Sequence, residues 1–144
     1  MARRMRVLLV EDNPGDVDLI RDTLEDVASL DITVVGDGAQ ALDYLGQRSG
    51  LSANWVTPLP DLVLLDLNLP KIGGHEVLSE VRKVADLRAL PIVVVTSSDA
   101  RPDIVTSYAL GANAYVTKPG DLAAFQRTVK ALGNFWCNFA RLPS

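Results

Sequence analysis

Apolar and polar positions alternate along this chain in blocks rather than residue by residue. Five short apolar runs punctuate it: RVLLV at 6–10, ITVV at 32–35, LVLLD at 62–66, IVVVT at 92–96 and AYVT at 114–117. Short runs rich in Val, Leu and Ile are what parallel strands require when both faces of their sheet are covered. Between the runs, apolar residues return at helical spacing. Val17, Ile20, Leu24 and Val27 predict a first helix, with Asp16 placed to cap it. Residues 39–45 predict a short second helix ended by Gly46, and Val77, Leu78, Val81 and Val84 a third that opens after Gly73 and Gly74. A fourth covers roughly residues 102–110, and a last begins near Asp121 with Leu122, Phe125, Val129 and Leu132 as its buried stripe.

Strand followed by helix, repeated in this way, predicts a doubly wound α/β fold, a parallel sheet with right-handed crossovers between two helical layers. There is no internal repeat or low-complexity tract. The one loose segment is 47–60, longer than most such connections and read as a surface loop. Its Trp55 fits equally a solvent-exposed tryptophan and a partner contact.

Composition narrows the function classes. A chain of 144 residues, 48% hydrophobic, suits one domain with a single sizeable core. A formal net charge of -4 supplies no basic field for nucleic acid or anionic lipid. Cys137 is the only cysteine, which excludes an internal disulfide and a CxxC zinc site and fits a reducing compartment. The basic start MARRMR leads into an apolar run that Glu11 and Asp12 cut short, so neither a signal peptide nor a membrane span is expected. A cytoplasmic protein is the expectation. His75, the only histidine, has no second ligand with which to build a zinc site and reads as a surface residue.

Chemistry is expected at the strand ends, because ligands of open α/β sheets bind outside the carboxyl edge. Strand one ends in Glu11 and Asp12, strand three in Asp66, strand four in Thr96 and Ser97, and strand five in Thr117, Lys118 and Pro119. An isolated buried carboxylate such as Asp66 costs several kcal/mol, so it needs a partner or a task. Clustered carboxylates raise one another's pKa unless a cation joins them. Oxygen ligands on rigid strand ends, with room for water, suit Mg²⁺ better than Ca²⁺. Lys118 then becomes a point charge for a phosphoryl oxygen, Thr96 offers a hydroxyl to another, and Asp66 is left as nucleophile and metal ligand.

The motifs "VLLVEDNPGD", "PDLVLLDLNLPKIGG", "PIVVVTSSD" and "GANAYVTKP", in this order and spacing, resemble the receiver domain of two-component response regulators over residues 5–135. The resemblance implies a five-stranded sheet in the flavodoxin-like order 2-1-3-4-5, with five helices in two layers. It also implies a phosphorelay function in which Asp66 accepts a phosphoryl group from a sensor histidine kinase. Asp12, Asp66, the backbone carbonyl of Asn68 and, through water, Glu11 would hold Mg²⁺. Thr96 and Lys118 would bind phosphoryl oxygens, Thr96 and Tyr115 would form the switch, and the Lys118–Pro119 bond would be cis. Asn68 and Ser98, two residues beyond Asp66 and Thr96, flank the path of attacking water in this family and would tune phosphoryl lifetime. "EDNPGD", the long loop before strand three, "SYALGANAYVTKP" and "GNFWCNF" further resemble single-domain regulators that pair with phytochrome-type kinases.

Phe135, Trp136 and Phe139 continue at helical spacing beyond the last helix and read either as a lid over the core or as an interface anchor, the interface being favoured. With the chain stopping at Ser144, the signal is expected to leave by protein contact, through a homodimer built on helix four, strand five and helix five. Three other classes compete. A phosphatase of the haloacid dehalogenase type needs an acid–base aspartate where Asn68 stands, so slow self-dephosphorylation is expected and not enzymatic turnover. A flavodoxin-like cofactor module needs a phosphate loop where this chain has Glu-Asp-Asn-Pro. A receiver-shaped docking scaffold that is never phosphorylated is the third.

Overall fold

A computed structural model describes residues 4–48 and 59–143; most of the long loop, with Trp55, lies outside the described residues. The apolar runs become the strands β1 (Met5–Val10), β2 (Leu30–Val35), β3 (Leu62–Leu65), β4 (Ile92–Thr96) and β5 (Ala114–Thr117). They form one parallel sheet in the order β2-β1-β3-β4-β5, as expected. Strand alternation divides the core in two. Val7, Leu9, Leu62, Leu64, Val93 and Val95 point to one face. There they meet Ile20 and Leu24 of α1 (Pro14–Val27) and Phe125, Val129 and Leu132 of α5 (Leu122–Gly133). Leu8, Val10, Val63, Leu65, Ile92 and Val94 point to the other. Their partners are Ala41 and Leu45 of α2 (Gly38–Arg48) and Val77, Leu78 and Val81 of α3 (Gly74–Lys83). The remaining helix, α4 (Arg101–Ala109), buries only Ser107. Among the described residues, no helix is long and apolar enough to cross a membrane.

Several local expectations are corrected. The cap of α1 is Asn13, whose side chain accepts from the Asp16 amide at 3.1 Å, with Pro14 as the first helical residue. Proline fixes φ and needs no amide partner, so it sets the helix start and leaves Asp16 within the first turn. Helix α2 continues through Gly46 to Arg48, since a helix anchored by buried Leu45 absorbs the ~1 kcal/mol that an interior glycine costs. Asp121 does cap α5, accepting from the Ala124 amide at 2.8 Å. Leu122, however, is 72% exposed, so the buried stripe begins a turn later at Phe125. Helical spacing sets where a side chain points, not whether a neighbour reaches far enough to cover it.

Beyond α5 the chain widens into a π-helical turn over Asn134–Phe139, which splits the aromatic cluster. Trp136 packs onto the core, while Phe135 and Phe139 are 55% and 74% exposed. Asn138 ties the turn to α1 by donating to the Val27 carbonyl at 3.1 Å. His75 is no plain surface residue. It is half-buried, and its Nε2 lies 2.9 Å from the Ser107 hydroxyl, joining α3 to α4. The Lys118–Pro119 bond is trans; no peptide bond among the described residues is cis.

Candidate functional site

Because all strands run in parallel, their carboxyl ends share one edge, and the residues just past them converge. Glu11 follows β1, Asp66 follows β3, Thr96 ends β4 and Lys118 follows β5. Backbone hydrogen bonds extend the ladder past the strand ends and fix these side chains. The Glu11 amide donates to Val35, that of Asp66 to Val10 and that of Lys118 to Thr96, at 3.1, 3.0 and 2.7 Å. The turn after Asp66 is closed by the Gly74 amide on the Leu67 carbonyl at 3.0 Å. A Cβ at Gly74 would come within 2.4 Å of the Asp66 carbonyl oxygen, so only glycine lets α3 start this close to the site.

Lys118 is the hub. Its ammonium donates to Glu11 Oε1, to Asp16 Oδ2 at 2.8 Å and to Asp66 Oδ2 at 2.9 Å, which uses all of its hydrogens. The Asn68 amide adds a hydrogen bond to Asp66 Oδ1 at 3.2 Å. Glu11 and Asp66 are buried, whereas Asp12 is exposed at the mouth, its amide donating to Glu11 Oε2 at 3.1 Å. Glu11, Asp12 and Asp66 each place a carboxylate oxygen within 4.8 Å of the others.

Burial and crowding split the protonation of this cluster. Burial pushes the Glu11 carboxyl up to about 8, helped by its hydrogen bond to Asp66 and opposed by Lys118. Burial would push Asp66 up as well, but hydrogen bonds from Glu11 and Lys118, with the nearby Thr96 hydroxyl, hold it below the ordinary carboxylate range. The pair therefore keeps one proton on Glu11 and leaves Asp66 ionised. For Lys118, burial alone would lower the pKa, but hydrogen bonds to Asp16, Glu11 and Asp66 drive it well above the usual lysine value. An ionised, desolvated Asp66 is the form a nucleophile needs. Needing a proton to keep its carboxylates together, the cluster carries more negative charge than Lys118 neutralises. That excess, with an oxygen-only donor set, fits a hard divalent cation.

Thr96 is fully buried, and its hydroxyl has no well-formed hydrogen-bond partner, although it lies near enough to the Asp66 carboxylate to help keep it ionised. A buried hydroxyl left in this state costs about 1–3 kcal/mol, a cost that a bound oxyanion would remove. Tyr115 is half-buried, its hydroxyl donating to the Ser98 carbonyl at 2.7 Å. The Ser98 hydroxyl is turned to Asp103 Oδ2. Asn68 is exposed beside the carboxylates. Phe135, Trp136 and Phe139 stand apart, Trp136 and Met5 sharing a pocket at the amino end of β1. Asp16 was expected as a cap and proves to be a direct partner of Lys118. The signal for it is Pro14, which moves the cap back to Asn13.

A family model for the response regulator receiver domain matches residues 7–130. Among curated relatives, response regulator Rcp1 of Synechocystis sp. is 38% identical over 140 residues, covering 96% of this chain and 92% of that protein. Among solved structures, the phosphorylated cyanobacterial phytochrome response regulator RcpA superposes with a TM-score of 0.90 at 40% identity, covering 99% of this chain and 100% of that one. The Mn(2+)-bound form of Rcp1 gives 0.89 at 37% identity, covering 97% and 99%. Like these relatives in sequence and in sheet order, and with the acidic cluster and lysine on its carboxyl edge, the chain belongs to the response regulator receiver family.

Proposed function

We propose that Asp66 accepts a phosphoryl group from a phosphohistidine of a phytochrome-type sensor kinase, and that the chain signals through changed protein contacts in the cytoplasm. The observation that carries this reading is Lys118 bound to Asp66 beside the Thr96 hydroxyl, which has no well-formed partner: a charged nucleophile with a cation and a spare hydroxyl at its side. An Asp66 oxygen forms the new bond to phosphorus as the phosphorus–nitrogen bond breaks, and the imidazole leaves with the electron pair. Phosphoryl transfer is mostly positioning and electrostatics, so the chain's contribution is to hold Asp66 desolvated and in line. Asp12, Asp66, the Asn68 carbonyl and, through water, Glu11 would hold Mg²⁺, which supplies neutralisation of charge on the transferred group. Hydrolysis is slow self-dephosphorylation whose rate Asn68 and Ser98 tune, not enzymatic turnover.

In the phosphorylated state Thr96 moves onto a phosphoryl oxygen and Tyr115 takes up the vacated space, repacking α4, β5 and α5. Shifting such an element from mostly off to mostly on takes about 5 kcal/mol, within reach of a few charge-assisted hydrogen bonds. The repacked face joins two copies of the chain, with Phe135, Trp136 and Phe139 extending the contact; nucleic acid and membrane are not partners. Intact mass after incubation with acetyl phosphate and Mg²⁺ tests the core of this reading. Wild type should gain one labile phosphoryl group and Asp66→Asn none. A wild type that stays unmodified leaves a docking scaffold as the better description. The dimer is tested by solution mass with and without phosphorylation, and a monomer in both states overturns it.

A further inference from the structure

Lys118 has no donor left for a phosphoryl oxygen. Its hydrogens go to Glu11, Asp16 and Asp66, so an oxyanion arriving on Asp66 has to displace one of these acceptors. The acceptors differ in what release would cost. Glu11 and Asp66 are 2% and 6% exposed, and either carboxyl, set loose, would remain in a desolvated site. The Asp16 side chain is 27% exposed and rides on the first turn of α1 rather than on a strand end, so water can take over its hydrogen bond. Asp16 also lies outside the trio of carboxylates that approach one another closely enough to share a cation, so its departure leaves that trio intact. The roughly two negative charges of a phosphoryl group would push it in the same direction.

We propose that Asp16 is the exchangeable partner of Lys118, a positioning residue that holds the ammonium while Asp66 is free and yields it to a phosphoryl oxygen. This rests on Asp66 being the phosphoacceptor. Asp16 thereby competes with the phosphoryl group for one ammonium hydrogen, and its loss makes the site readier to bind a tetrahedral anion.

The test is calorimetric titration with beryllofluoride, a stable phosphoryl stand-in, at saturating Mg²⁺. Asp16→Asn, which lifts the charge, should bind roughly two- to tenfold more tightly than wild type. Asp16→Ser, too short to reach the ammonium, should behave alike. Thermal unfolding confirms that each variant is folded. In a Lys118→Gln background the gain should vanish, because Asp16 acts through Lys118 and not through the general field. Equal or weaker binding by both Asp16 variants overturns the proposal, as does a gain that persists undiminished beside Lys118→Gln. A wild type that binds no beryllofluoride and gains no mass from acetyl phosphate overturns the phosphoacceptor reading itself, and the role of Asp16 with it.

Discussion

Helices α3 and α4 are neighbours joined by a side-chain hydrogen bond, yet they are held by different forces. Helix α3 buries Gly74, Val77, Leu78 and Val81, most of them in the core against the sheet. Helix α4 buries only Ser107 and leaves Val105 and Tyr108 about half exposed. Its ties are polar. Ser107 Oγ donates to the Asp103 carbonyl at 2.7 Å, the Ser98 hydroxyl meets the Asp103 carboxylate, and the Tyr115 amide donates to the Tyr108 hydroxyl at 3.1 Å. Since Ser107 has one hydrogen and spends it on Asp103, His75 Nε2 is the donor in the 2.9 Å contact between the helices. Apolar burial cannot be exchanged without opening a cavity, whereas a hydrogen bond can be traded for another at small net cost. The helix that starts beside Asp66 is therefore the fixed one, and α4 is free to be re-seated.

The largest break in this contrast should come from Leu78→Ala. Leu78 is fully buried, and truncation should cost about 2–5 kcal/mol of unfolding free energy, read as a lower urea midpoint at unchanged slope. A loss below about 1 kcal/mol would mean that α3 is no better anchored than α4.

Next in size should be the pH dependence of the site beside α3. Glu11 is pushed from 4.5 in its ordinary state to about 8 in the fold, so between these values the folded chain holds a proton that the unfolded chain has lost. Stability from this group is then full at the acid end of the window and is lost as pH rises through about 8. Asp66 has the opposite sign, but its lowered pKa places its effect below the window. Urea midpoints in chelator should thus fall from about pH 5 to about pH 8.5, and excess Mg²⁺ should reverse the trend if it occupies the ionised cluster as proposed. A flat profile in chelator would place the shared proton elsewhere.

Smaller again is Ser107→Ala. It removes the acceptor of His75 and one donor to Asp103, worth about 0.5–1.5 kcal/mol each before relaxation. Hydrogen exchange should quicken in α4 with little change in α3. Equal acceleration in both helices would show that they open as one unit.

How much of this was legible in the sequence follows the same division. The strand ends were, because a covered parallel strand is an apolar run and the first polar residue after it marks the rim. Glu11, Asp66, Thr96 and Lys118 are found in that way. The partners of Lys118 were less so. A carboxylate in a first helical turn reads as a cap, and only the geometry of Asn13 and Pro14 reassigns Asp16. Helix α4 was found by position, but nothing in its apolar pattern told that Ser107 would be its buried residue, because a serine is buried for its hydrogen bonds and not for its hydropathy. The aromatic tail was legible as a helix continuation, and the π-helical turn that sends Trp136 inward and Phe135 and Phe139 outward was not. Which aromatic faces the core depends on a slip in backbone register, and side-chain spacing carries no sign of it.

The smallest effect on folding is expected from Val105→Ala, and it separates the monomer's needs from those of an assembly. Val105 is 54% exposed, so truncation surrenders little burial. Alanine is also the better helix former by about 0.5 kcal/mol, so the urea midpoint should stay put or rise slightly. If the face of α4 and β5 joins two copies after phosphorylation, the same change should weaken association of the phosphorylated chain, read as a dissociation constant raised about threefold or more by light scattering across a dilution series. Unchanged folding with weakened association means that α4 spends its apolar surface on a partner, which is why so little of it was left for the core. Unchanged association would move the contact away from Val105, towards the exposed Phe135 and Phe139 beyond α5. A fall in stability above about 1 kcal/mol would instead show that α4, like α3, is held by apolar burial.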